Sequence, residues 1–92
     1  MIENKILELL STGSGYHSKD IPKGKYGTFS KITEEYLEAL DAHSDSNIVM
    51  TIVELSDLIG AIAAYIQDYN LTIFNLIEMA KATERAFDAG KR

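Results

Sequence analysis

The feature that most constrains the fold is a long apolar segment in the middle of the chain. Between Ile48 and Ile66, fourteen of nineteen residues are apolar, which predicts a helix with apolar side chains on nearly all of its faces. Such a helix lies in a protein core or in a membrane. Because Glu54 and Asp57 interrupt it, and a carboxylate near a bilayer centre costs on the order of 3 kcal/mol, we expect a soluble core helix and no membrane partner.

The rest of the chain also has helical spacing, so we predict an all-α fold. Apolar residues recur at helical intervals in three further segments, which are residues 2–10, about 30–42 and about 72–89. Polar residues at their starts are candidate N-caps: Ser30 or Thr28, Ser46 or Asn47, and Thr72. The segment "IPKGKYG", residues 21–27, holds the only proline and predicts a loop.

Length and composition narrow the functional classes. Ninety-two residues form a single domain, residues 1–92, which buries only a modest share of its surface alone, so we expect a four-helix protomer in an oligomeric helical bundle. Without cysteine, thiolate metal sites and a cysteine nucleophile are excluded. The net charge is −5 and no basic run occurs, so we expect no nucleic-acid partner. The N-terminus lacks a basic segment before its apolar pattern, and we expect a cytoplasmic protein.

The stretch "KITEEYLEAL", residues 31–40, crowds like charges on one helix face. Glu38 shares a face with both Glu34 and Glu35, and these carboxylates repel one another. An apolar face that includes Ile32 and Leu40 lies opposite. The acids are therefore either a solvated surface or the ligands of a cation.

A second acidic pair favours the cation. Glu54 and Asp57 are three residues apart in an apolar helix, and no Lys or Arg occurs between residues 32 and 80. We therefore expect no salt-bridge partner within the two central helices. A short connection favours antiparallel packing, which would gather five carboxylates: Glu34, Glu35, Glu38, Glu54 and Asp57. Oxygen ligands on rigid helices suit Mg²⁺ or Mn²⁺ with a polyphosphate substrate.

The same residues resemble a known family. "EEYLE" at 34–38, fifteen intervening residues and "ELSD" at 54–57 are similar to the EExxE…ExxD signature of the MazG-like all-α nucleoside triphosphate pyrophosphohydrolases. Lys31 stands three residues before the first glutamate, as a lysine often does in this family. The resemblance covers about residues 25–90.

The resemblance implies an activity and a set of site residues. The activity is Mg²⁺-dependent hydrolysis of a (deoxy)nucleoside triphosphate to the monophosphate and pyrophosphate, by protomers assembled as a homodimer or homotetramer. Glu35, Glu38, Glu54 and Asp57 become the expected metal ligands, and Glu34 is expected to support them or to contact the nucleophilic water. These five carboxylates are the expected catalytic residues. The candidate contacts to the substrate's phosphates are Lys31, Lys81 and Arg85, with Lys23 and Lys25 if the loop closes.

One position departs from the family pattern. Lys81 matches the lysine of the last helix, but Thr83 and Glu84 stand where the family carries an asparagine. Tyr65 shares the face of Glu54 and Asp57, so it is a candidate for a base pocket or a core aromatic.

Two other functions remain open. One is a non-enzymatic helical oligomer that binds a partner. The other is a pyrophosphohydrolase for another substrate, such as phosphoribosyl-ATP.

Overall fold

The computed structural model describes residues 20–90, and this part of the chain is helical without strands. It contains α1 (Phe29–Ser44), α2 (Ile48–Ile66) and α3 (Ile73–Asp88), with a 3₁₀ turn at Gln67–Tyr69 between the last two. The all-α prediction is confirmed for these residues. The helix predicted at residues 2–10 lies outside them, so the four-helix protomer stays a prediction.

The ends of the helices follow the local capping chemistry. The side-chain oxygen of Asn47 accepts a hydrogen bond from the backbone N–H of Met50 at 3.1 Å and caps the start of α2, as predicted. Thr28, and not Ser30, is the N-cap residue of α1, because the Ser30 hydroxyl instead accepts from the backbone N–H of Lys25 at 3.0 Å. α1 also continues two residues beyond its predicted end at Ala42.

α1 and α2 form an antiparallel pair. Near one end, Ala42 of α1 lies in a buried cluster with Met50 and Val53 of α2. Near the other end, the rings of Phe29 and Tyr65 meet edge to face with their centroids 5.5 Å apart. The three-residue connection between the helices turns sharply because Ser46 adopts a left-handed backbone conformation with φ of 57°. The predicted antiparallel packing is therefore confirmed.

The loop before α1 folds back onto that helix. The backbone N–H of Gly24 donates to Oε1 of Glu34 at 2.6 Å, and the N–H of Thr28 donates to the carbonyl of Lys25 at 3.0 Å. The backbone of Gly24 lies so close to Ser30 and Lys31 that a Cβ atom at this position would overlap their main chain. Glycine is therefore required for this close approach.

α3 is the least packed helix in the described part of the chain. The side-chain oxygen of Asn75 accepts from the backbone N–H of Thr72 at 2.8 Å and fixes the first turn. Among the described helices α3 contacts only α2, and none of its residues is buried. Phe74 and Phe87 are exposed.

The apolar segment passes a length-and-composition test for a membrane span. Residues Ile48–Tyr69 have a mean hydropathy of 1.7 over the best window, 28% of which is buried within the structure. The core helix of a soluble protein also passes this test.

The close approach of Gly24 generates the first prediction. In a Gly24→Ala variant, the new Cβ would displace the loop from the first turn of α1 and break the hydrogen bond to Glu34. We expect the free energy of unfolding, measured by urea denaturation, to fall by about 1–3 kcal/mol.

Gly60→Ala is the matched control. A Cβ at position 60 would meet no atom within 4 Å, and the residue lies inside α2. This variant should be more stable than the wild type by about 0.5–1 kcal/mol, because alanine is the better helix former. Equal stability of Gly24→Ala and the wild type would contradict the docked loop.

Candidate metal centre

The paired helices bring five carboxylates together, as the sequence predicts. Carboxylate oxygens of Glu34, Glu35 and Glu38 lie within 4.8 Å of one another, and those of Glu35, Glu54 and Asp57 form a second such group. Glu35 belongs to both groups, so it joins the acids of α1 to those of α2. We call these five residues the carboxylate cluster.

The acidic face of α1 is turned toward α2. Glu34 and Glu35 are buried, as is Glu54 on α2, whereas Tyr36 and Leu40 on the more apolar side of α1 are exposed. The alternative of a solvated acidic surface is therefore wrong for Glu34 and Glu35. Ionised carboxylates in such a position need cationic or hydrogen-bonding partners.

Lys31 supplies part of that compensation, which corrects a sequence-based expectation. Its ammonium group lies 3.1 Å from Oε1 of Glu34 and 3.3 Å from Oε1 of Glu35. Because α1 begins at Phe29, Lys31 lies within the helix, and the expectation that the central helices contain no salt-bridge partner is wrong. Burial lowers the pKa of Lys31, but its hydrogen bonds to Glu34 and Glu35 outweigh this effect and raise it.

Glu34 is engaged through both of its oxygens. Oε1 accepts from Gly24 N–H and from Lys31, and Oε2 lies 3.7 Å from Nζ of Lys23, which is largely exposed. Burial raises the pKa of Glu34, but these hydrogen bonds and charges outweigh it and hold the pKa below its ordinary value. The Glu34 carboxylate thus holds the loop and Lys31 next to the other carboxylates of the cluster.

Glu35 is compensated only in part by the protein. Burial and then the negative charge of Glu38 raise its pKa to about 7, with Lys31 opposing them. A hydrogen bond between Glu35 and Glu38 also contributes to this rise. The second oxygen, Oε2, is buried and has no hydrogen-bond partner among residues 20–90.

This arrangement fits a divalent cation. A metal ion bound here would give the buried Glu35 oxygen a partner and would add positive charge to a group of five carboxylates. Burial also raises the pKa of Asp57, with the charge of Lys31 opposing it. An oxygen-only donor set of carboxylates suits Mg²⁺ or Mn²⁺.

A cleft of about 280 Å³ opens beside the carboxylate cluster. Its lining includes the charged residues Lys31, Glu35 and Asp57, and also Tyr26, Ser56, Gly60 and Ala61. The sequence analysis did not identify Tyr26, Ser56 or Gly60. The only sequence feature that pointed to this group was Gly60, a glycine in the middle of an apolar helix, one turn after Asp57.

Tyr65, the residue that the sequence suggests for a base pocket, packs against other aromatic rings. Tyr65 packs against the ring of Phe29 and also against that of Tyr69, whose centroid is 5.6 Å away. Tyr65 is thus a packing aromatic at the end of α2, in agreement with the alternative from sequence.

The basic residues of α3 are not brought to the cleft by any described contact. Lys81 pairs instead with Glu78 on its own helix at 3.2 Å, and Arg85 is exposed. Their assignment to the substrate stays a prediction. Asp41, on the acidic side of α1, is buried but lines a separate cavity of about 160 Å³ with Pro22 and Leu37.

Comparison with known proteins adds no assignment. No protein-family model, no curated protein and no solved structure matches this chain. Membership of the MazG-like family therefore stays a prediction that rests on the residues themselves.

The raised pKa of Glu35 gives a pH prediction for the metal-free protein. The folded-state pKa of about 7 lies above the ordinary value of 4.5, so the folded state binds more protons between these values. Stability is then present in full below pH 4.5 and is lost as the pH rises through 7. In EDTA we expect the free energy of unfolding to fall by on the order of 1–3 kcal/mol between pH 5 and 8.

Glu35→Gln is the matched variant, because its side chain keeps a similar size but does not titrate. Urea denaturation of this variant over the same pH range should show a clearly smaller decrease. Identical decreases for the two proteins would contradict the assignment of the raised pKa to Glu35.

Proposed function

We propose that this protein is a MazG-like pyrophosphohydrolase, which converts a (deoxy)nucleoside triphosphate to its monophosphate and pyrophosphate. The observation that carries the proposal is the buried Glu35 carboxylate, which joins two other carboxylates of α1 to two of α2. A structural surface role gives no reason to bury so many acids together. Polyphosphate hydrolysis does, since it uses divalent cations held by carboxylates.

Four residues of the cluster are the proposed metal ligands, and they are Glu35, Glu38, Glu54 and Asp57. When bound, Mg²⁺ or Mn²⁺ supplies charge neutralisation of the phosphates and lowers the pKa of a coordinated water. Glu34 is not assigned as a ligand, because Gly24 N–H, Lys31 and Lys23 already engage its oxygens. Its proposed role is to position the loop and Lys31, which agrees with the supporting role implied by the family resemblance.

The basic side chains are the proposed contacts of the substrate's phosphate groups. Lys31 lines the cleft next to Glu35, and its raised pKa keeps it charged in the physiological range. Lys23 and Lys25 are exposed on the docked loop, and Nζ of Lys23 lies 3.7 Å from Oε2 of Glu34. Lys81 and Arg85 on α3 are kept as candidates for the outer phosphates within the oligomer.

In the proposed reaction, water attacks phosphorus in line with the linkage between the α- and β-phosphates. The new P–O bond forms as the bridging P–O bond breaks, and pyrophosphate leaves with the electron pair of that bond. An ionised carboxylate of the cluster accepts the proton from water. The lysines stabilise the charge on the leaving pyrophosphate.

The surface of α2 supports the proposed oligomer. Ile48, Ile52, Leu55 and Ile59 recur at helical spacing along its outer side, and each is exposed. α3 adds further exposed apolar residues, including Phe74. A second copy would cover this surface, and we propose a homodimer or homotetramer that forms an oligomeric helical bundle.

We also propose that the protein is cytoplasmic and not membrane-spanning. The support comes from Glu54 and Asp57, which place two carboxylates halfway along the apolar helix and direct them into the cluster. In a bilayer these groups would be deprived of solvation without a compensating cation.

The central prediction concerns products. Incubation with each common NTP and dNTP in Mg²⁺ should release monophosphate and pyrophosphate from at least one of them, and EDTA should abolish the release. Asp57→Asn should lower kcat/KM by roughly 100-fold or more, because it removes a ligand charge. Glu38→Lys should abolish turnover while the helical circular dichroism is retained.

Asp68→Asn is the control variant. It also removes one carboxylate, but Asp68 is exposed in the 3₁₀ turn and belongs to neither carboxylate group. Its activity should equal that of the wild type. Diphosphate and phosphate as products, or an active Glu38→Lys protein, would contradict the proposal; turnover of phosphoribosyl-ATP alone would favour that related substrate.

The oligomer is tested with Ile52→Asp. A charge within the apolar surface of α2 should dissociate the assembly, because the carboxylate would be buried against the neighbouring copy. Light scattering after size-exclusion chromatography should show a multiple of 10.2 kDa for the wild type and a smaller mass for the variant. The control Thr33→Asp changes an exposed residue of α1 and should leave the mass unchanged. A monomeric wild type would contradict the oligomer.

A further inference from the structure

The cleft beside the carboxylate cluster has one aromatic wall. Tyr26 lines the cleft and is 71% exposed, so its ring is available to a ligand. The loop that carries the ring is fixed by the hydrogen bonds from Gly24 N–H to Glu34 and from Thr28 N–H to the Lys25 carbonyl. Tyr26 is thus held in place without being packed into the core.

Small residues of α2 form another wall of the cleft. Gly60 and Ala61 line it together with the hydroxyl-bearing Ser56. A glycine inside a helix costs stability relative to alanine. No atom of the described residues lies within 4 Å of the Cβ position at Gly60, so internal packing gives no reason for a glycine there. The space that it leaves belongs to the cleft.

The lining of the cleft combines two kinds of chemistry. It includes Glu35, Asp57 and Lys31, which are the residues that would hold the proposed metal and phosphates. It also includes the ring of Tyr26 and the bare helix backbone at Gly60. A ligand with a charged phosphate end and a flat ring fits this combination.

We propose that Tyr26 and Gly60 form the nucleobase subsite of the cleft, with the base stacked on the Tyr26 ring and lying against the backbone of α2 at Gly60. This inference rests on the proposed function for the phosphate end of the ligand. It adds the part of the site that distinguishes a nucleotide from an inorganic polyphosphate. Stacking on an aromatic ring tolerates any base, so the Gly60 wall sets how large a base fits.

The test measures binding and does not require turnover. The probes are the α,β-imido analogues of dATP, dCTP, dGTP and dUTP, with inorganic tripolyphosphate as the ligand without a base, titrated calorimetrically in Mg²⁺. We expect Tyr26→Ala to weaken the best-bound analogue by roughly 5- to 100-fold and to leave tripolyphosphate binding unchanged. Tyr26→Phe should bind as the wild type does.

Two further variants sharpen the test. Gly60→Leu should fill the cleft, keep α2 helical and weaken the analogues without affecting tripolyphosphate. Tyr36→Ala removes an exposed tyrosine of α1 that does not line the cleft and should change neither affinity.

Three results would overturn the subsite. They are unchanged analogue binding by Tyr26→Ala, an equal loss for analogues and tripolyphosphate, and analogues that bind no more tightly than tripolyphosphate to the wild type. Hydrolysis of nucleotides that is insensitive to Tyr26→Ala would refute the subsite and leave the proposed reaction standing. Base-dependent binding without hydrolysis would refute the reaction and leave the subsite standing.

Discussion

The burial of Glu35 between two helices is the constraint on which the rest of the site depends. Its carboxylate lies near Glu38 on its own helix and near Glu54 and Asp57 on the next, while Lys31 reaches only one of its oxygens. Without a metal, the protein compensates by protonation, which is the physical meaning of a pKa of about 7. Because metal ligands must be deprotonated, a cation would compete with a proton for this carboxylate.

The fold around this site has little apolar core of its own. The buried apolar residues of the described part are mostly small, including Ala39, Ala42 and Ala61, which let α1 and α2 approach closely. Close approach brings the carboxylates within reach of one another, but it buries less apolar area than large side chains would. Because the core is small, apolar residues of α2 stay exposed and α3 is weakly packed. In our proposal the missing burial is supplied by a second copy.

The sequence predicts those parts of the structure that depend on short-range patterns. The bounds of α2 follow from an apolar run that is flanked by the polar residues Asn47 and Gln67. The proximity of Glu35 to Glu54 and Asp57 follows from helical spacing and a short connection between the helices. Two features escaped because they depend on the loop. Ser30 bonds to Lys25 and so does not cap α1, and Tyr26 reaches the cleft only because Gly24 is fastened to Glu34 ten residues away. No spacing rule predicts such contacts, and the choice of substrate depends on them.

The most direct test of the account is to locate a metal ion in crystals grown with Mn²⁺, by anomalous scattering at the manganese edge. The account predicts a peak bonded to a Glu35 carboxylate oxygen and to carboxylates of Glu38, Glu54 or Asp57. It also predicts that the hydrogen bond between Glu35 and Glu38 is lost. Well-ordered carboxylates with no peak among them at millimolar Mn²⁺, and with Glu35 still bonded to Glu38, would contradict it.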